Sequence, residues 1–304
     1  MASSQHGQEV GKRHILSFDV EEHFQVSAFW SDTRRQQWDR LESRVEQNTL
    51  RLAELLAHAE TKATFFILGW VAERHPGLVK TLARQGHEIA SHGYGHELVT
   101  SQTDKEFRED VRRSKQILED LTGGGVFGYR APSFSITDRT TWALPILAEE
   151  GYLYDSSIYV RLQRLEKVRS VKGVREIRTR AGNIFEVALS TASLWGIQLP
   201  IAGGGYFRLF PYSVSRMYLR QFEKTSNQFV MYFHPWEIDP DQPRMDGPLV
   251  SKFRHYWNLK RTEKRLQFLL HDFSFAPVVE AVQPIREMVQ TRAQGGVVQS
   301  PEAR

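Results

Sequence analysis

Residues 14–23 read HILSFDVEEH, a short run of mainly apolar side chains that gives way to a cluster of acids. A run of this length bounded by polar residues has the signature of a strand buried on both faces of a parallel sheet. Side chains alternate sides along a strand, so Asp19 and Glu21 would share one side and Glu22 would take the other; a turn beginning at Val20 could instead re-aim Glu22. The same shape recurs as ATFFIL (63–68), HEIAS (87–91), FGYR (127–130), YLYD (152–155), IFEVAL (184–189) and QFVMYFH (228–234). Stretches of helical periodicity lie between them, at 44–59, 77–85, 104–121, 138–150 and 211–224. Alternating strands and helices predict an α/β fold with repeated βα units around a parallel sheet or barrel. Ser43 with Glu46 and Thr103 with Glu106 have capping-box spacing, and Gly86 suits a helix C-terminus.

The chain has 304 residues, 40% hydrophobic and 25% charged, with 40 Lys and Arg against 36 Asp and Glu and no cysteine. That is an ordinary globular balance. The absence of cysteine excludes thiol nucleophiles, disulfides and zinc-thiolate sites, so any transition metal must be held by His, Asp or Glu. The net charge of +4 is spread among acids rather than gathered in a block, so no nucleic-acid partner is expected. The opening MASSQHGQEVGKRH has no apolar core and no run of membrane-spanning length follows, which predicts no signal peptide, no membrane span and a cytoplasmic location. We expect a flexible tail over 1–12, a barrel over 13–285 with a C-terminal extension from about 240, and a second tail over 286–304, frayed from Ala293. Three places break the alternation. Residues 122–125 form a glycine-rich link, residues 161–180 read as a charged, solvated excursion, and LPIAGGGYFRLF (199–210) carries three consecutive glycines, which implies close backbone approach or a tight turn.

Several strand ends carry a reactive side chain: Asp19, His92, Arg130, Asp155 and His234. In a parallel barrel the C-terminal ends of the strands face one site, so residues far apart in sequence would converge. His92 and His96 are spaced for shared metal binding, and Gly93 and Gly95 between them favour a tight loop over a regular helix. Without cysteine a third ligand would be a carboxylate, which the acids following the first strand supply. Two imidazoles and one carboxylate leave coordination positions open, as in catalytic metal sites. Such a metal lowers the pKa of water and polarises a carbonyl. Amide hydrolysis also needs a base and an acid, roles that Asp19 and His234 fit.

From Ile15 to Glu237 these residues resemble the polysaccharide deacetylases with a NodB homology domain, carbohydrate esterase family four. SFDVEE is similar to the family's first motif, His92-Gly93-Tyr94-Gly95-His96 to the second, Arg130-Ala131-Pro132 to the third, and the strand ending in His234 to the last. The resemblance implies a distorted (β/α)7-type barrel, a divalent ion such as Zn²⁺ or Co²⁺, and an N-acetylated glycan substrate. It implies Asp19 as general base, His92 and His96 as metal ligands, Arg130 as the residue that orients the base, and His234 as general acid. Val20 stands where the family usually has its ligand Asp. A subgroup with an acid two positions after the base is similar, which favours Glu21 as third ligand with Glu22 as the alternative. Tyr154-Asp155-Ser156-Ser157 lacks the usual Trp of the fourth motif, and Pro132, Trp195, Tyr206 and Trp236 are the candidates for the substrate wall. FHPWEIDPDQPRM (233–245) and the stretch 253–277 are similar to a bacterial subgroup associated with exopolysaccharide and exosortase systems. Two rivals remain: an allantoinase-like hydrolase of cyclic amides, and a non-catalytic glycan-binding scaffold, against which intact Asp19, His92, His96, Arg130 and His234 argue.

Overall fold

The computed structural model describes residues 13–29, 36–158, 173–194, 197–200, 203–225, 228–282 and 287. Both predicted tails and residues 161–172 of the charged excursion lie outside them, 287 excepted. The strands are β1 (His14–Val20), β2 (Thr64–Ile67), β3 (Glu88–Ser91), β4 (Gly128–Tyr129), β5 (Tyr154–Asp155), β6 (Val174–Thr179), β7 (Gly182–Val187), β8 (Thr191–Leu194), β9 (Ile197–Pro200), β10 (Val230–Phe233) and β11 (Phe275–Ala276). The main sheet runs β10-β1-β2-β3-β4-β5-β7-β6, with β11 paired to the start of β1. From β10 to β7 every pairing is parallel, and only β6 runs antiparallel, at the edge. The result is an α/β fold on a curled mixed sheet, an open barrel of the (β/α)7 type.

The alternation of β1 positions the site. Leu16, Phe18 and Val20 enter the large core beneath the helices α1 (Val45–His58), α2 (Gly69–Arg74), α3 (Pro76–Arg84), α4 (Asp104–Thr122) and α5 (Ala143–Glu149). Ile15 faces the other way, into a smaller core with Phe66, Ala90, Tyr154, Phe185 and Val230 inside the curl. Ser17, Asp19 and Glu21 share that inner side, by the period of two. The fold continues in α6 (Gly204–Leu209), α7 (Tyr212–Thr225), α8 (Leu249–Tyr256) and α9 (Leu259–Asp272).

Local chemistry altered several expectations. Thr103 and Glu106 do form a capping box at α4, but Ser43 does not cap α1: its hydroxyl donates to Glu22, while Glu46 meets His75. Glu22 itself accepts from the Arg44 backbone N–H at 3.0 Å, so a carboxylate from a distant loop serves the positive end of α1. α5 starts at Ala143 rather than 138, because Thr140 Oγ1 accepts from Thr137 N at 2.8 Å and donates to the Ser135 carbonyl, holding a turn there. Part of the expected solvated excursion, Val174–Thr179, is instead β6, registered against β7 from Val174↔Val187 to Thr179↔Gly182.

Candidate active site

Asp19 is the penultimate residue of β1, and Glu21 follows the strand with its N–H on the Asp19 carbonyl at 3.1 Å. Arg130, just beyond β4, is fully buried and holds Asp19: Nη1 donates to Asp19 Oδ1 at 2.6 Å and to Ser17 Oγ at 2.9 Å. Its other nitrogens donate to the Ser156 carbonyl and hydroxyl, and its guanidinium lies 4.1 Å from the Phe66 ring centre. The altered fourth motif therefore anchors this arginine through Ser156, while Asp155 turns away to Ser157 and Glu186. Burial, then the adjacent Asp155 carboxylate, push Glu186 well above the usual carboxylate range.

His92 and His96 lie on the loop after β3, with ring centres 5.2 Å apart. Gly93 has φ +77° and a Cβ there would stand 2.8 Å from Asp110, so only glycine fits; His96 itself is left-handed at φ 55°. The His92 Nδ1–H donates to the Arg130 carbonyl at 2.8 Å, which leaves Nε2 as the ring's free lone pair. Burial, first, and the charge of His96 hold His92 down to about 4, so its imidazole is neutral at pH 7. Glu21 Oε2 lies 2.6 Å from His96 Nε2 and 3.9 Å from His92 Nε2, and these donor atoms all lie within 4.8 Å of one another. Burial would raise the Glu21 carboxyl, but the charges of His96 and His234 and the hydrogen bond from His96 outweigh it and hold the group well below the usual range. Two imidazole nitrogens and an ionised carboxylate oxygen, gathered and buried, fit a borderline divalent ion such as Zn²⁺. Glu22 is absent from the group because the N-terminus of α1 occupies it.

His234 follows β10, with Nε2 3.9 Å from Asp19 Oδ2 and 3.8 Å from Glu21 Oε1. Its Nδ1 sits 2.9 Å from Glu237 Oε1, and Glu237 Oε2 accepts from Arg208 Nε at 2.7 Å. Burial lowers the imidazole's pKa, but Glu21 and the hydrogen-bonded Glu237 raise it further, to about 9. The sequence reading missed Glu237 and Arg208. The available signal was the three-residue spacing of His234 and Glu237, since the carboxylate also accepts from the His234 backbone N–H at 3.0 Å. The triple glycine belongs to the same device. A Cβ on Gly204 would stand 2.1 Å from Glu237 Oε2 and one on Gly203 2.6 Å from the Tyr232 hydroxyl, whereas Gly205 meets nothing.

These groups line a pocket of about 290 Å³, whose walls include Phe29, Ser133, Phe134, Tyr232, Arg208 and Arg254. A larger cavity, about 560 Å³ beneath β6 and α5, contains none of Asp19, Glu21, His92, His96 or His234. Of the anticipated substrate wall, Trp236 lies at the candidate active-site pocket. It lines this pocket and is 6% exposed: its ring stacks on His234 at 4.8 Å and His255 at 4.1 Å, and Nε1 donates to Glu21 Oε1 at 3.2 Å. Pro132 and Tyr206 are not among the lining residues, although their neighbours Ser133 and Gly205 are, and Trp195 lies outside the described residues. Phe134 and Tyr232, 5.0 Å apart, supply aromatic surface instead. Ser133 and Phe134 are successive left-handed residues at φ 51° and 55°, a strained turn at the pocket wall.

Residues 36–152 match the family model for polysaccharide deacetylase, and residues 157–283 match one described as a domain of unknown function, DUF3473. Both matched segments contribute strands to the one main sheet. A peptidoglycan deacetylase of Helicobacter pylori is 32% identical over 108 residues, 36% of this chain and 36% of that protein. A peptidoglycan-N-acetylglucosamine deacetylase of Bacillus cereus is 33% identical over 96 residues, 31% of this chain and 35% of that one. The chain thus matches about a third of these relatives' length. Among solved structures, a putative polysaccharide deacetylase from Mycobacterium smegmatis is similar with a TM-score of 0.60 at 21% identity, covering 95% of this chain and 94% of that one. An allantoinase has a TM-score of 0.59 at 15% identity, covering 90% and 91%. Residues 36–152 therefore carry a match to the polysaccharide deacetylase domain, and the fold of the chain is that of the solved structure described as a putative polysaccharide deacetylase.

Proposed function

We propose that this chain is a metal-dependent hydrolase that removes N-acetyl groups from amino sugars of a polysaccharide or glycan precursor. The observation that supports it is the convergence of Glu21, His92 and His96 into one donor set with Asp19 and His234 beside it. Glu21, His92 and His96 would hold a divalent ion, which would supply Lewis acidity and lower the pKa of water there. Arg130 fixes one oxygen of Asp19 and leaves Oδ2 toward the pocket, placed to take the water's proton. His234, whose pKa is raised by the charge of Glu21 and by the hydrogen bond to Glu237, has Nε2 turned to the same space, placed to donate to the departing amine. Trp236 keeps Glu21 in place from behind. The resemblance of 233–245 and 253–277 to the exopolysaccharide-associated subgroup is what points to an exopolysaccharide as the glycan.

The test is acetate release from N-acetylated oligosaccharides by the purified chain, run beside ring opening of allantoin, since an allantoinase shares the fold. Acetate release without allantoin turnover is the expected result. Ring opening without acetate release would replace the deacetylase reading with the cyclic-amide one, and neither activity would favour a binding scaffold.

A further inference from the structure

The helix α8 divides its surface between two environments. Ser251, Arg254 and His255 line the candidate active-site pocket. On the other side Leu249 is 83% exposed, Val250 69%, Phe253 51% and, at the helix end, Trp257 43%. At 3.6 residues per turn these four fall within an arc of about 100°, with Arg254 at one border and Lys252 at the other. Phe253 and Trp257 pack on each other at 4.8 Å, which makes the stripe continuous. Scattered exposed apolar residues are ordinary, but four large ones on a single helical face are not.

The charge around this face is equally uneven. Between Arg244 and Arg265 there are seven Lys and Arg against two acids, a net of +5, where the whole chain carries +4. Both acids are already engaged, Glu263 with Arg51 and Asp246 with Lys252. Lys260, Arg261 and Lys264 are exposed on α9, immediately after Trp257.

We infer that the Leu249–Trp257 face seats the protein on an anionic lipid surface. An apolar stripe carrying Leu, Phe and Trp with a cationic border is the pattern by which a helix lies in the headgroup layer, where apolar burial and attraction to acidic headgroups add. A second copy of the chain fits the same face poorly, because a two-fold contact would bring the cationic border of one copy, Lys252 and Arg254, against the like-charged border of the other. No described helix is long and apolar enough to cross a membrane. α8 also walls the pocket, so the seated face and the pocket share one helix about 10 Å across; on the deacetylase reading, the enzyme would act on glycan units carried near that surface.

The experiment is co-sedimentation of the full chain with phosphatidylcholine vesicles that contain or lack phosphatidylglycerol. The parent pellets with the anionic vesicles and much less with the neutral ones, and the binding weakens as salt rises. Leu249→Ser combined with Phe253→Ser lowers the apparent affinity about tenfold or more, with an unchanged thermal midpoint because both side chains are exposed. Lys260→Glu with Arg261→Glu lowers it through charge alone. Absence of anionic-vesicle binding by the parent overturns the inference, as does equal binding by both double variants. Self-association of the parent that the Leu249→Ser/Phe253→Ser variant loses, without vesicle binding, reassigns the face to a second copy. Vesicle binding requires no turnover, so this failure and a failure to release acetate are told apart.

Discussion

Glu237 stands between His234 and Arg208, with one carboxylate oxygen 2.9 Å from the imidazole Nδ1 and the other 2.7 Å from the guanidinium Nε. The imidazole is thereby turned so that Nε2 faces Asp19. A protonated His234 is the active form of the acid, so activity falls as pH rises through its pKa. Glu237 raises that pKa, so Glu237→Gln should move the alkaline limb of the pH–rate profile for acetate release to lower pH. An unmoved limb would remove Glu237 from this role. Glu237→Ala also strands the buried Arg208 charge and should cost about 3–5 kcal/mol in a denaturation measurement.

Asp19 and Arg130 form a buried pair whose two members should fail differently. Asp19→Asn keeps an oxygen for the guanidinium, so the variant should retain its metal while turnover falls by about two to four orders of magnitude. Arg130→Ala leaves the Asp19 charge buried without its partner, which should cost about 3–5 kcal/mol of stability as well as activity. Near-parental turnover of Asp19→Asn would take the base role away from it.

Glu21 and Glu22 are adjacent in sequence and separated in use. Glu21→Ala should lose metal in elemental analysis of the purified protein, whereas Glu22→Ala should keep it and lose about 0.5–2 kcal/mol of stability at the start of α1. Chelation of the parent should abolish acetate release and added Zn²⁺ or Co²⁺ should restore it, with no recovery in His92→Ala or His96→Ala. Stoichiometric metal in Glu21→Ala would exclude it as the carboxylate ligand.

The glycines at 204 and 205 give a test at the level of a single methyl group. Gly204→Ala places a Cβ 2.1 Å from the Glu237 carboxylate and should impair turnover by displacing it from His234, while a Cβ on Gly205, at the pocket wall, meets nothing in the protein and should leave the alkaline limb of the pH–rate profile where the parent has it. Equal activity of the two variants would show that Glu237 can yield without consequence.

The parallel βα order, the inner side shared by Asp19 and Glu21, and the loop at His92–His96 were all legible in the sequence, because each is set by local rules. Strand periodicity fixes which side a residue takes, and the glycines in HGYGH exclude a regular helix. The approach of residues more than a hundred positions apart is not local, and only the curl of the sheet decided it. Glu22 carries the same charge as Glu21 but is drawn to α1, 22 positions along the chain at Arg44. Arg208 and Glu237 look like surface charges in sequence, and their burial follows from α6 and the loop after β10 packing together where Gly204 leaves room for the carboxylate. Trp236 reads as an aromatic wall residue, and only the folded chain brings two imidazoles against its ring at the pocket. Side-chain alternation is written in each strand by its own stereochemistry, whereas which buried charges neutralise one another depends on distances that exist only after the chain has closed on itself.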